Sequence, residues 1–450
     1  MLQLINKYCI YVPVQFVRGE HIWKILPEFA ECEQLTREEL KNYTYTKIQD
    51  FVRNLYNGSQ FYRDVFNEID FNPKAEFDYE IFQNVPILTK DHIRKIGFDT
   101  MSLKGRKKAA LRSTSGSTGK PFVFPKDVNA STYMEAVMYQ VYNWYGIEIG
   151  DRQARFWGTP VNGRALLFQR IKDRALNRRR LSAFELNERT NKSFWKILKS
   201  FKPAYFYGYP NVIASFARYV IDNNIRGEEL ELKVIICTGE ILVRKQRELI
   251  SEAFCCRVAN EYGSTENGII AFECPSGEMH ILNQNIFLEC IALDGRLLPI
   301  GERGKFVITE FHSNRIPFLR YDLGDWGRIL ERKCVCGRPF PLLDVEIGRI
   351  DSFIATPDGK KVYDAILAYV FKNSFKQFRG IQDSPENLII QYVSPESLKQ
   401  KDLEKIEKRL RKHIGNAIQI KFEQVEKISP DASGKLRYFV SRMPSSNEAS

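Results

Sequence analysis

With 450 residues, 44% of them hydrophobic and 27% charged, the chain has the composition of a folded protein with room for more than one domain. Its net charge of +12 leaves anionic partners open, but no zinc-finger, homeodomain-like or RNA-module signature accompanies the excess, so nucleic acid is not expected. No run reaches the roughly 18 apolar residues of a membrane span, residues 1–17 do not read as a signal peptide, and nine cysteines, an odd number, read as reduced thiols of a cytoplasmic protein.

Residues 1–100 read as mainly helical. Thr36 stands three residues before Glu39 at the head of a periodic run to Tyr56, the pattern of a capping box. Ala109–Arg112 and Phe122–Phe124 read as two short strands joined by a loop, and residues 131–146 have helical spacing. Arg170, Lys172, Arg174, Arg178, Arg179 and Arg180 crowd one segment. It reads as a solvated helix face, with an anionic membrane surface, a lipid-linked substrate or a nucleotide-bearing one as further partners. Pro203–Pro210 reads as an aromatic turn, and Lys233–Cys237 as a buried strand followed by Thr-Gly-Glu and a helix to about Phe254. Alternating strands and helices here predict an α/β core with parallel sheets. From Ile281 to residue 348 the texture becomes β-rich, with strands expected at Ile286–Ile291, Lys305–Phe311 and Gly327–Leu330. Beyond it, a hairpin turned at Pro357-Asp358-Gly359, a helix, a strand at Leu388–Val393, a helix from Pro395 to His413 and a strand at Ile418–Val425 predict a small α+β unit. The expected domains are therefore 1–348 and 349–450.

The loop Ser113-Thr114-Ser115-Gly116-Ser117-Thr118-Gly119-Lys120-Pro121 packs hydroxyls, two glycines and an ammonium into a cradle for anionic oxygen. It is not a Walker A loop, because two residues separate its glycines and Pro121 follows the lysine. Four further segments fit it. Thr238-Gly239-Glu240 follows a strand, where α/β sheets bind ligands. Glu261-Tyr262-Gly263-Ser264-Thr265-Glu266 offers an aromatic face, a glycine, hydroxyls and a carboxylate. Arg320-Tyr321-Asp322-Leu323-Gly324-Asp325 ends in a carboxylate, and Ser433-Gly434-Lys435 lies near the end of the chain. No Ser-His-Asp or G-x-S-x-G pattern is present.

In this order, from residue 80 to 442, these segments resemble the adenylate-forming superfamily, in its phenylacetate–CoA ligase branch with the CapK-type capsule-biosynthesis proteins. The resemblance implies a large N-terminal domain, a small mobile C-terminal domain, and ATP-dependent activation of a carboxylic acid with Mg²⁺. It implies that Ser113 through Lys120 hold the ATP phosphates and that Gly239 and Glu240 line the adenine pocket. Tyr262 and Gly263 would flank the base, Thr265 would meet the α-phosphate, Glu266 would ligate Mg²⁺, and Asp325 would hold the ribose. Arg349 would bind ribose or phosphate, Asp351 would be the hinge, and Lys435 would neutralise charge during adenylation. The acceptor is CoA or an amine of a sugar or amino acid, because the segment after Asp351 departs from the branch's pattern. A non-catalytic scaffold in polysaccharide assembly is the other alternative. Trp157, Tyr207 and Tyr209 offer faces for an aryl or acyl acid.

A second constellation is independent of ATP. Cys274 and His280, six apart, precede Cys334-Val-Cys336-Gly-Arg. Three thiols and an imidazole are the donor set of a four-coordinate structural zinc, with no open position for catalysis.

Overall fold

The computed structural model describes residues 6–443 except 104–108, 114–121, 159–162, 183–186, 241, 243, 293, 347–352, 364, 372–373, 376, 395–397 and 429–438. Thr114–Lys120, Arg349, Asp351 and Lys435, all expected at the site, therefore lie outside the described residues.

Residues 6–101 are mainly helical. The helix Arg37–Gly58 begins with the expected capping box, Thr36 and Glu39 each accepting from the other's backbone, and buries Leu40, Ile48, Phe51, Val52 and Leu55 along one face. The hairpin comes next: β1 (Ala109–Ser113) pairs antiparallel with β2 (Val123–Asp127), with Ser113 opposite Val123. The segment of hydroxyls and glycines therefore connects the two strands of this hairpin in the chain.

Most of the remaining strands form one sheet. In chain order they are β3 (Gln153–Trp157), β4 (Arg178–Ser182), β5 (Tyr205–Gly208), β6 (Val234–Thr238), β7 (Val258–Ser264), β8 (Gly268–Glu273), β9 (Met279–Ile281), β10 (Ile286–Ile291), β11 (Gly304–Glu310), β12 (Tyr321–Leu330) and β13 (Leu342–Glu346). Their spatial order is β10-β11-β12-β13-β9-β8-β7-β6-β5-β3-β4. From β4 to β7 neighbours are parallel, and from β7 to β10 they are antiparallel. The expected α/β core and the expected β-rich segment are therefore two halves of the same sheet.

Local chemistry explains the parallel half. β6 is the apolar run Val-Ile-Ile-Cys-Thr, buried at every position, as a strand covered on both faces must be. One face of this half packs Ala154, Phe156, Phe206, Ile235 and Cys237 against the helices Pro210–Asp222 and Arg244–Phe254. Two expectations change here. The aromatic segment before Pro210 is not a turn but β5, since its prolines bracket a central strand too short to show periodicity. The basic run is not one helix face. The helix Gly163–Ala175 ends inside it and Arg178–Arg180 enter β4, where Arg178 and Arg180 turn onto Asp173 at 3.8 and 3.0 Å.

The C-terminal segment has its own core. β14 (Phe353–Ala355) and β15 (Lys361–Tyr363) form the expected hairpin. β16 (Gln377–Ser384), β17 (Asn387–Val393), β18 (Gln419–Gln424) and β19 (Phe439–Ser441) form a sheet in the order β18-β17-β16-β19. β16 and β19 carry no alternation strong enough to be seen in sequence. The helix Gln400–Ile414 buries Ile406, Leu410 and Ile414 against this sheet.

Candidate active site and candidate metal centre

The parallel strands end together, and their carboxyl ends carry the candidate residues. β3 ends at Trp157, β5 runs into Tyr209, β6 into Gly239 and Glu240, and β7 carries Glu261 to Ser264. Thr238 lies opposite Glu261, so Gly239 follows alongside Tyr262. Trp157 stacks on Tyr209 with centroids 4.2 Å apart, and Gly239, at φ +80°, lies so close that a Cβ would meet the Tyr209 ring at 2.9 Å. Only glycine suits both the backbone and this approach. The Arg155 guanidinium lies 4.9 Å from the Trp157 ring and 4.7 Å from Tyr207. Glu261 is buried beneath, accepting from the Tyr142 and Tyr207 hydroxyls at 3.0 Å each, and burial pushes its carboxyl above the usual range. Glu240 is also buried and accepts from the Asn211 amide at 2.8 Å.

The β7–β8 turn is the centre of the site. A bulge between Tyr262 and Gly263 brings the chain so close to itself that a Cβ on Gly263 would fall 2.3 Å from the Gly268 carbonyl oxygen. Past it, Thr265 is exposed and Glu266 is buried. The Glu266 carbonyl accepts from the Lys126 ammonium at 2.7 Å, and Lys126 is in turn bound to both carboxylate oxygens of Glu310 at 2.7 and 2.6 Å. Asn267 is tied to Ser264 through backbone and side chain. The turn is therefore held from below by a fully buried ion pair reaching from β2 to β11.

The antiparallel half returns over this turn. The Tyr262 hydroxyl donates to Asp325 on β12 at 3.0 Å, although three strands separate β7 from β12 in the sheet order. At about 4.8 Å per strand a flat sheet cannot do this, so the sheet curls. Burial, with Asp325 adding to it, pushes the Tyr262 phenol well up and keeps it a donor. The structure thus brings Tyr262 and Asp325 together and seats Gly239 and Glu240 just past the end of the adjacent strand β6.

Two neighbours of Glu266 escaped the sequence reading. Lys90 Nζ is 3.1 Å from its Oε1, and the Tyr321 hydroxyl donates to the same oxygen at 3.1 Å. Lys90 opens the helix Lys90–Ile96, and Leu88 just before it bridges to Tyr321 through backbone hydrogen bonds. Arg320, at φ +46° and buried, fixes the approach of β12 by binding Glu289 and the carbonyls of Gln83 and Val85. Tyr321 lay within a segment already singled out. Lys90, 176 positions from Glu266, gave no signal. Among the described residues both donors act on one oxygen of Glu266, so the carboxylate has a second to offer a cation.

The second constellation also assembles. Ligand atoms of Cys274, His280, Cys334 and Cys336 all lie within 4.8 Å of one another. Cys274 and Cys334 sulfurs are 3.7 Å apart, and Cys336 Sγ is 3.3 Å from His280 Nε2. Zn–S bonds near 2.3 Å set about 3.8 Å between sulfurs of a tetrahedron, whereas a disulfide needs about 2 Å. The His280 Nδ1 meets the Phe340 carbonyl at 3.1 Å, which directs the lone pair of Nε2 into the cluster. Burial pushes the imidazole down to about 4, so it is neutral, the ligating form. The Cys336 backbone N–H points to Cys334 Sγ at 3.4 Å. The donor set and spacing fit zinc.

Comparison with known proteins bears on the family and the fold. Residues 354–442 match the family model described as the CapK C-terminal domain. Protein CapK of Staphylococcus aureus is 26% identical over 437 residues, covering 94% of this chain and 93% of that protein. The phenylacetate-coenzyme A ligase of Thermus thermophilus is 23% identical over 72% of this chain and 73% of its own length. Among solved structures, 2-hydroxyisobutyryl-CoA ligase in complex with 2-HIB-AMP and CoA aligns with TM-score 0.62 and 19% identity, covering 91% of each chain.

Proposed function

We propose, for a chain that belongs to the adenylate-forming superfamily in its phenylacetate–CoA ligase and CapK branch, that it activates a carboxylic acid with ATP and passes the acyl group to CoA. The observation that carries this reading is the convergence of Tyr262, Asp325 and Glu266 on one turn at the carboxyl ends of parallel strands. A carboxylate attacking the α-phosphate builds a crowded polyanion, which needs fixed positive charge and dipoles more than it needs a protein nucleophile. In this reading Ser113 and Thr114–Lys120 grip the phosphates, with Thr265 at the α-phosphate. Glu266 holds Mg²⁺, which supplies charge neutralisation when bound. Tyr262 and Gly239 border the base beside Glu240. Asp325, aligned by the Tyr262 hydroxyl, takes the ribose together with Arg349. The Trp157–Tyr209 stack faces the acid. Residues 349–450 form a mobile unit in which Asp351 is the hinge and Lys435 approaches the transition state. CoA as acceptor is supported by the names of the ligase relatives. Cys274, His280, Cys334 and Cys336 hold a structural zinc.

The test is pyrophosphate release with ATP, Mg²⁺ and a pool of aryl, acyl and sugar acids, with hydroxylamine as trap. The expected result is a hydroxamate from one class of acid. ATP binding without any hydroxamate points to a non-catalytic scaffold, and absence of ATP binding overturns the reading.

A further inference from the structure

Two segments outside the adenylation machinery leave apolar side chains in solvent on a strongly basic surface. On the helix Gly163–Ala175, Leu167, Arg170, Ile171 and Arg174 are all exposed. Their spacing of i, i+3, i+4 and i+7 lines them along a single stripe. Leu167 and Ile171 are each 60% exposed. This helix packs against the N-terminal turn Asn6–Tyr11, which continues into the helix Val12–Arg18. There Tyr8, Phe16 and Val17 are exposed, Phe16 at 72% and Val17 at 86%. Asp173 is the sole acid of residues 6–19 and 163–182, and it is buried and bound to Arg178 and Arg180. The outward charge of both segments is therefore entirely cationic. The Lys172 ammonium is held below its usual range by burial and by Arg18, Arg112, Arg178 and Arg155 around it, a measure of how closely the cations crowd.

We propose that this paired-helix surface docks the protein on an anionic lipid bilayer, with Phe16, Val17, Leu167 and Ile171 entering the interface and Arg170 and Arg174 meeting lipid phosphates. Charge decides between the occupants of such a face. A second copy using the same patch would set one wholly cationic surface against another, because a two-fold interface pairs a patch with itself. Nucleic acid would answer the cations but leave Leu167, Ile171 and Val17 unused. An anionic bilayer satisfies both features. The docking helix begins six residues after Trp157, so the aromatic end of β3 lies close in the chain to the lipid-facing element.

The experiment is co-sedimentation of the full chain with vesicles of phosphatidylcholine, with and without phosphatidylglycerol. It needs neither ATP nor turnover, so its outcome is separate from that of the ligase assay. Binding should favour the phosphatidylglycerol vesicles by about tenfold or more and weaken as salt rises. Leu167→Ser with Ile171→Ser, which keeps every charge, should lower that binding about tenfold while leaving the thermal melt unchanged. Equal binding to both vesicles, or undiminished binding by the double variant, overturns the proposal. So does a concentration-dependent dimer that the same double variant abolishes.

Discussion

The two halves of the large sheet are held together differently. From β4 to β7, parallel strands pair over four or five consecutive residues at every step, and apolar side chains on one face pack against amphipathic helices. In the antiparallel half one step is thin: β13 meets β9 at the single pair Leu342–His280, with the Ile281 N–H donating to the Pro341 carbonyl at 2.8 Å beside it. The Cys/His cluster sits on this seam. Cys274 follows β8, His280 is on β9, and Cys334 and Cys336 lie in the connection from β12 to β13. Arg332 and Glu278 add a bidentate ion pair at 2.6 Å across the same place. Where hydrogen-bond pairing is thin, sulfur, imidazole and charge take its part. Further in, the Lys126–Glu310 pair does for the β7–β8 turn what helix packing does for the parallel strands. Both halves are packed over an area, the antiparallel one by Ile286, Leu288, Phe306 and Ile308 against Ile48, Phe51 and Leu55 of the N-terminal helices, but only the antiparallel half has a seam pinned at points.

Three perturbations separate these modes. Replacing Cys334 and Cys336 by Ser, or stripping metal with a strong chelator, should have the largest effect. We expect a loss on the order of 5 kcal/mol and a melting temperature lower by about 10 °C. Elemental analysis should give about one zinc per native chain and none in the variant. A native chain purified without chelator and free of zinc would show that the seam holds by protein contacts alone. Lys126→Met comes next, because it leaves Glu310 as a buried acid without its cation. The expected loss is about 3 kcal/mol in denaturant unfolding, much of it recovered when Glu310→Leu is added. If the double variant is as unstable as the single one, the pair is not what braces the turn. The smallest effect is expected in the parallel half, from Gly239→Ala. Its positive φ costs about 1 kcal/mol, and the new methyl must displace the Tyr209 ring. The acid's KM should rise several-fold with little change in thermal stability, and an unchanged KM would remove the Trp157–Tyr209 stack from the acid site.

What could be read beforehand differs between the two sites. The Cys-x₅-His and Cys-x-Cys spacings named all four members of the cluster, because thiols and imidazole are scarce and chemically distinctive. The hairpin around Ser113, the capping box at Thr36 and the hairpin at Pro357–Gly359 were legible for a related reason: each is specified by neighbours in sequence. The candidate active site was legible only as separate segments. Its partnerships, Lys90 and Tyr321 with Glu266, Lys126 with Glu310, and Tyr262 with Asp325, join residues of common types across long separations. The basic run was visible as composition, but its division between a helix and the following strand β4 was not.

The amino-acid sequence by itself determined which local elements form and which chemistries are on hand. Turn residues, caps and alternating burial act within a few positions, and they need no knowledge of the rest of the chain. Only the tertiary structure decided that the β-rich segment extends the parallel sheet and curls back over it. That depends on pairing between distant strands, whose register is set by side-chain packing on faces that no short window reveals. The same long-range packing decides which of many ordinary carboxylates become buried partners, and desolvation then gives those few their altered chemistry.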